Sequence, residues 1–195
     1  ELWSLAQAGF LSIGIDVVGH GERRYPDFED RFVRDNPRSE ENFVQTICDA
    51  IREIPKLVDN LIQIGLSQPD KIGMVGISMG GYITYAAPLA DPRIRVIAPV
   101  LASPQWKIKH PDSPCHYPDR YFPTAMLVQN AGDDPFVPTH LSREFCKKLQ
   151  PLYRQSPERL CYIEFPGVGH FMPEQEWHEL WNNVIQWFQR FICIH

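Results

Sequence analysis

No stretch of this chain approaches the roughly 20 consecutive apolar residues that a helix needs to cross a bilayer, so a helical membrane anchor within it is excluded and no membrane partner is expected. Positive charge is also short. Nineteen Lys and Arg stand against 24 Asp and Glu, a net charge of −5 near neutral pH. A phosphate backbone calls for a basic face, so nucleic acid is not expected as the main partner. CxxC pairs are absent. The five cysteines (Cys48, Cys115, Cys146, Cys161 and Cys193) are odd in number and widely spaced, which fits reduced thiols in a cytoplasmic protein better than a disulfide framework. There is no internal repeat and no low-complexity tract, and nothing bears on oligomeric state. His110, Asp112, Cys115 and His116 lie close in sequence, but their spacing matches no standard zinc pattern, so no metal is expected.

What is present is an ordinary globular composition, 44% hydrophobic and 22% charged over 195 residues, enough for one domain spanning 1–195 with a sizeable core. Leu2, Leu5 and Ala6 share a helical face that Gly9 ends. Phe10 to Val18 reads FLSIGIDVV, a short apolar run after a glycine that predicts a buried strand. Gly19-His20-Gly21 makes a tight loop, and 22–39 reads as a solvated polar excursion. From Glu40, Phe43, Ile47, Ile51, Ile54, Val58 and Leu61 step by three or four, predicting a helix that Pro55 kinks or breaks near Ile54. Strands are expected at 71–77, 94–102, 124–130 and 160–165. Between them fall a helix from Met79 to Ala87 closed by Pro88, a loop over 103–123 rich in proline, and a helix capped by Thr139. A last helix from about Pro173 to Phe191 carries Trp177, Trp181, Val184, Phe188 and Phe191 on its core stripe. Strands apolar on both faces, alternating with helices, predict an α/β fold whose mostly parallel sheet is flanked by helices.

Chemistry concentrates in three places. Gly76-Ile77-Ser78-Met79-Gly80, followed by Gly81, stands between a strand ending VGI and a helix starting MGGYITYAA. A serine hydroxyl is a poor nucleophile unless held in the open beside a base. A sharp strand-to-helix turn does this, and small residues two positions either side of Ser78 are expected because side chains there would collide with neighbouring backbone. Of the seven histidines, only His170 sits just past a late strand, in Pro166-Gly167-Val168-Gly169-His170, where two glycines permit a bend toward the elbow. The base needs a carboxylate to hold its tautomer. Asp133 and Asp134 both follow the 124–130 strand, where α/β folds build their sites, and position alone does not choose between them. The order Ser, Asp, His is that of α/β-hydrolases.

With these motifs in place the chain resembles the α/β-hydrolase superfamily, and within it the small bacterial serine esterases of the dienelactone-hydrolase and prolyl-oligopeptidase-like branch. LAQAGFLSIGIDVVGHGER is similar to that family's helix, fourth strand and following loop; EIPKLVDNLIQIGLSQPDKIGMVGISMGGY to the approach to the nucleophile; DDPFVP to the acid turn; and FPGVGHFMPEQEW to the histidine loop. The resemblance implies Ser78 as nucleophile, His170 as base and Asp134, the Asp directly before P-x-V-P, as the group that orients it. It implies one oxyanion N–H from Met79. In the family three strands precede the helix at which this chain begins, the third of them lying between the fourth strand and the nucleophile strand. The chain is therefore expected to show an N-terminally incomplete fold, with a gap in the sheet and no counterpart for the second oxyanion donor.

The mechanism so implied is two-step acyl transfer on a small-molecule ester, probed through an apolar rim, and it needs no cofactor. Trp106, Phe136 and Phe171, with Tyr121 and Phe122, lie in the predicted rim loops as substrate contacts or as loop packing. The short 103–123 connection leaves little room for a large lid, which favours short-chain acyl esters. A peptidase or thioesterase would use the same triad, and an acyl-binding fragment without catalysis is the non-enzyme alternative.

Overall fold

The computed structural model describes residues 1–192. Four strands, β1 (Ile72–Ile77), β2 (Ile94–Val100), β3 (Ala125–Ala131) and β4 (Leu160–Phe165), form one sheet in the order β1-β2-β3-β4. All three neighbouring pairs are parallel. Parallel neighbours require crossovers. Helix α4 (Met79–Ala90) joins β1 to β2, the 103–123 loop with two 3-10 turns joins β2 to β3, and α5 (Thr139–Leu149) joins β3 to β4.

Alternation along the strands explains why both faces are covered. On β2 and β3, Ile97, Met126 and Val128 point into a core shared with α4, α5 and the long helix α3 (Ser39–Gln63). Their neighbours Val96, Ala98, Val100, Ala125, Leu127 and Ala131 point the other way, against α6 (Glu174–Phe191) and Leu5 of α1 (Leu2–Gln7). Gln129 is the polar exception on that face. It is fully buried, donates from Nε2 to the Leu180 carbonyl at 3.0 Å and accepts from Asn183 Nδ2 at 3.0 Å. A buried amide so paired costs little and pins α6 to the centre of the sheet.

Several local expectations are corrected. Phe10 to Val18 forms no strand. An apolar run becomes a strand only if a ladder accepts its N–H and C=O groups, and among the described strands β1 pairs with β2 alone. Phe10 packs toward α6 and Val17 against the core that α3 and α4 share, while Leu11, Ile13 and Ile15 stay exposed. The 22–39 stretch is not wholly irregular: it holds a short helix, α2 (Phe28–Phe32), whose two Phe rings pack on His20. Pro55 does not break α3, which runs unbroken from Ser39 to Gln63. Ile54 and Val58, on either side of it, are both buried, so tertiary packing outweighs the one lost backbone bond. Pro88 likewise sits inside α4, which continues to Ala90 and is closed by Asp91 N–H on the Ala87 carbonyl at 2.9 Å. Thr139 is the first residue of α5 rather than its cap, which is Pro138. Cys48, Cys115, Cys146 and Cys161 are free thiols, as expected; Cys193 lies outside the described residues.

No helix among the described residues is long and apolar enough to cross a membrane.

Candidate active site

β1, β3 and β4 end on the same edge of the sheet, and each hands its chain to a loop carrying one of the polar residues singled out from the sequence. Ser78 follows β1 directly and precedes the first residue of α4. Its backbone is at φ 52°, ψ −115°, a conformation that L residues with a side chain rarely adopt. Two hydrogen bonds hold it there. Ser78 N–H donates to the Val100 carbonyl of β2 at 2.9 Å, and the Ser78 carbonyl accepts from Tyr82 N–H at 3.1 Å. Strand and helix are thus both engaged one residue from the reversal.

The glycines around Ser78 have different reasons to be there. A Cβ at Gly76 would collide with the Gly80 carbonyl and sit 2.6 Å from Thr84 Oγ1. One at Gly81 would lie 2.5 Å from Ala102 Cβ and 2.6 Å from the Val100 carbonyl oxygen. One at Gly80 would meet nothing within 4 Å. The steric demand expected two positions after Ser78 therefore falls three positions after it, where α4 crosses the end of β2.

The acid turn and the histidine loop are built against each other. Gly132 N–H donates to the Phe165 carbonyl at 2.7 Å and Asp133 N–H to the Val168 carbonyl at 2.9 Å. One Asp134 oxygen, Oδ1, accepts from the backbone N–H groups of Phe136 (2.8 Å) and Val137 (3.0 Å). The other, Oδ2, lies 2.6 Å from His170 Nδ1. His170 Nε2 in turn lies 3.1 Å from Ser78 Oγ. The structure thus brings Ser78, His170 and Asp134 into one hydrogen-bonded chain from three separate loops; Asp133 takes no part in it. A carboxylate accepting from Nδ1–H leaves Nε2 with its lone pair toward the serine hydroxyl, the arrangement that can receive a proton from it. The Asp134 side chain is 1% exposed and that of His170 13%. Burial, with the Asp134 charge nearby as a second cause, pushes the Tyr82 phenol up to about 12, so it stays neutral beside the site. Val100 and the paired N–H groups of Phe136 and Val137 were not singled out in the sequence; P-F-V-P after an Asp was the only available signal, and it is a turn signal.

Met79 opens α4, where the first N–H groups have no partner within the helix and the helix dipole adds partial positive charge. Of the five aromatic residues expected in rim loops, Phe136 and Phe171 lie beside His170, while Phe122 packs edge-on against Tyr153. Phe136 is 55% and Phe171 87% exposed, and both pack edge-on against the His170 ring. Trp106 is not at the rim; it is buried in the core shared with α3 and α4 and stacks obliquely on His110. The 103–123 loop folds back on itself, with Cys115 N–H and Ser113 Oγ on the Pro104 carbonyl, and this turns Trp106 inward. Tyr121 is buried too, its hydroxyl donating to the Tyr85 carbonyl at 2.6 Å. Among the described residues no group of three or more His, Cys, Asp or Glu could hold a metal ion.

A parallel sheet covered on both faces, with a strained serine between strand and helix and an acid and a histidine from later loops, is the architecture of an α/β-hydrolase. Comparison with known proteins agrees. The family described as serine aminopeptidase, S33, matches residues 2–123. A candidate esterase, YitV of Bacillus subtilis (strain 168), is 24% identical over 217 residues, covering 96% of this chain and 81% of its own. The crystal structure of TT1662 from Thermus thermophilus superposes with a TM-score of 0.81 at 18% identity, over 100% of this chain and 82% of that one. A candidate dienelactone hydrolase from Klebsiella pneumoniae subsp. pneumoniae MGH 78578 superposes with a TM-score of 0.64 at 13% identity, over 82% and 69%. The chain belongs to the serine aminopeptidase S33 family of α/β-hydrolases.

Proposed function

We propose that this hydrolase cleaves carboxylic esters through an acyl-enzyme formed on Ser78. The observation that carries the reading is the unbroken chain Asp134–His170–Ser78, at 2.6 and 3.1 Å, ending on a serine held in a strained turn. His170 takes the proton of Ser78 as Oγ adds to the ester carbonyl. It then gives that proton to the departing alkoxy oxygen, and water repeats the cycle to free the acid. Asp134 fixes the tautomer and stabilises the imidazolium. The carbonyl oxygen, negative after attack, is placed at the N-terminus of α4, where Met79 N–H donates to it. Phe136 and Phe171 supply the apolar contact with substrate. No step calls for a cofactor. The ester reading is supported by the name of the Bacillus subtilis relative. A second reading, peptide hydrolysis by the same three residues, is favoured by the family's own description as an aminopeptidase.

One experiment tests both. The protein is treated with a fluorophosphonate probe, then offered short acyl esters, thioesters and N-terminally free peptides. Labelling of Ser78 with ester turnover supports the proposal. Turnover of peptides in preference to esters selects the second reading, and absence of labelling defeats both.

A further inference from the structure

Phe171 is the most exposed of the large apolar side chains described, at 87%, and Phe136 is more than half exposed. Yet they are not scattered. Their ring centroids are 6.3 Å apart and lie 5.4 Å (Phe136) and 5.7 Å (Phe171) from the centroid of the His170 imidazole, each nearly perpendicular to it. Leaving a phenyl ring in water forfeits the stabilisation that burial would give it, so two such rings converging on one imidazole ask for something to cover them. Both are also fixed in place by the acid–base pair. Phe171 follows His170 directly, and Phe136 N–H is held by the same Asp134 carboxylate that faces His170 Nδ1.

Which part of a substrate reaches them follows from the chemistry. When the tetrahedral adduct on Ser78 collapses, the bond from the carbonyl carbon to the alkoxy oxygen breaks. That oxygen takes the proton from His170 Nε2 and leaves as the alcohol. It must therefore come within hydrogen-bond distance of Nε2, which faces Ser78 Oγ at 3.1 Å. The first carbons of the alcohol are then carried onto the groups flanking the imidazole. The carbonyl oxygen lies instead toward the N-terminus of α4, and the acyl chain takes the remaining tetrahedral direction, apart from the alkoxy oxygen that meets Nε2. Resting on the proposed ester hydrolysis, we infer that Phe136 and Phe171 form a subsite for the alcohol half of the ester, and that it takes apolar, preferably aromatic, alcohols. The two rings offer faces and edges to an arylmethyl group and no hydrogen-bonding group to a polar one.

The test uses acetate esters that differ only in the alcohol, methyl against benzyl, and methyl esters that differ only in the acyl chain, acetate against hexanoate, followed by proton release at constant pH. Methanol and benzyl alcohol are close in acidity, so intrinsic reactivity differs little. The subsite predicts that wild type prefers benzyl acetate to methyl acetate in kcat/KM by roughly tenfold or more, a ratio in the range that a few apolar contacts confer. Phe171→Ala and Phe136→Ala should each collapse that benzyl-to-methyl ratio toward one, while Phe171→Trp preserves it. Neither Ala variant should move the hexanoate-to-acetate ratio. The inference is overturned if the Ala variants lower every ester by the same factor, which would make the rings a water shield over His170. It is equally overturned if the acyl ratio moves instead, or if both ratios stay put while Phe171→Ala abolishes a concentration-dependent association seen by sedimentation. Fluorophosphonate labelling of Ser78 in each variant keeps the two readings apart. Labelling with methyl acetate turnover but no alcohol preference defeats the subsite and leaves ester hydrolysis standing; no labelling in wild type defeats both.

Discussion

Replacing Ser78 by Gly should make the protein more stable than replacing it by Ala, although both variants lack the hydroxyl proposed as nucleophile. At φ 52°, ψ −115° a residue with a Cβ is strained by on the order of 1–3 kcal/mol. Glycine removes that strain, but it has more unfolded-chain freedom to lose, about 0.5–1 kcal/mol relative to Ala. The difference leaves Ser78→Gly ahead of Ser78→Ala by about 1 kcal/mol, with a span of roughly 0–2.5. Other contributions cancel. Both variants lose the hydroxyl facing His170 Nε2, and both keep the backbone bonds from Ser78 N–H to Val100 and from Tyr82 N–H to residue 78. For a chain of this size about 1 kcal/mol corresponds to roughly 2–4 °C in Tm. Urea unfolding of the two variants at one pH, with equal m-values, reads the difference directly. If Ser78→Gly were instead the less stable by the ~1 kcal/mol that glycine ordinarily costs, the turn would not be strained and the argument for a serine held open by its backbone would fail.

Other outcomes follow from single contacts. Gly81→Ala should destabilise by about 1–3 kcal/mol because its Cβ meets Ala102 and the Val100 carbonyl, whereas Gly80→Ala, with nothing within 4 Å, should be neutral or slightly stabilising; chemical denaturation separates them. Asp134→Asn should lower ester turnover by about 10⁴-fold through loss of the Nδ1–H acceptor, while Asp133→Asn stays within a few-fold, since only Asp134 contacts His170. A larger loss at Asp133 would refute the assignment. Asp91 is buried with both carboxylate oxygens on the Arg93 guanidinium, which also reaches Asp59, and this pairing holds its carboxyl below the usual carboxylate range. A lowered folded-state value stabilises above the unfolded value and is lost as pH falls through the folded one. Asp91→Asn should therefore lower the urea midpoint at pH 7 and flatten its fall between about pH 5 and 3; parallel curves for the two proteins would contradict this.

Much of the fold is legible because its signals are local. The runs at 72–77, 94–100, 125–131 and 160–165 are apolar on both faces, which only a sheet covered on both sides tolerates, and the 3.6-residue stripe over 174–191 fits one buried face. Phe10 to Val18 carries the same kind of run and yet forms no strand, because the hydrogen-bonding partner is a tertiary matter that no residue in the run encodes. Pro55 and Pro88 misled for a related reason: helix propensity is weighed against packing that the local sequence does not show. At the site, the G-x-S-x-G turn and the glycine-bracketed His170 are short-range patterns that could be picked out in advance, whereas the choice of Asp134 over Asp133 comes from the resemblance of DDPFVP to the family's acid turn. The rim could not. Trp106, Phe136 and Phe171 are all aromatic residues in loops. Ser113 and Cys115 close the 103–123 loop onto Pro104 and send Trp106 into the core, whereas Phe136 and Phe171 stand on the two loops that carry Asp134 and His170.

The central claim is that Ser78 Oγ becomes covalently acylated during turnover. Its most direct test is to quench the protein with acid while it hydrolyses a slowly deacylated ester and to map the adduct by peptide mass spectrometry. The account predicts the mass of the acyl group on the peptide containing Ser78, no adduct in Ser78→Ala, and a turnover loss in that variant on the order of a million-fold. Sustained hydrolysis by Ser78→Ala, or an acyl group mapped to another residue, would contradict it.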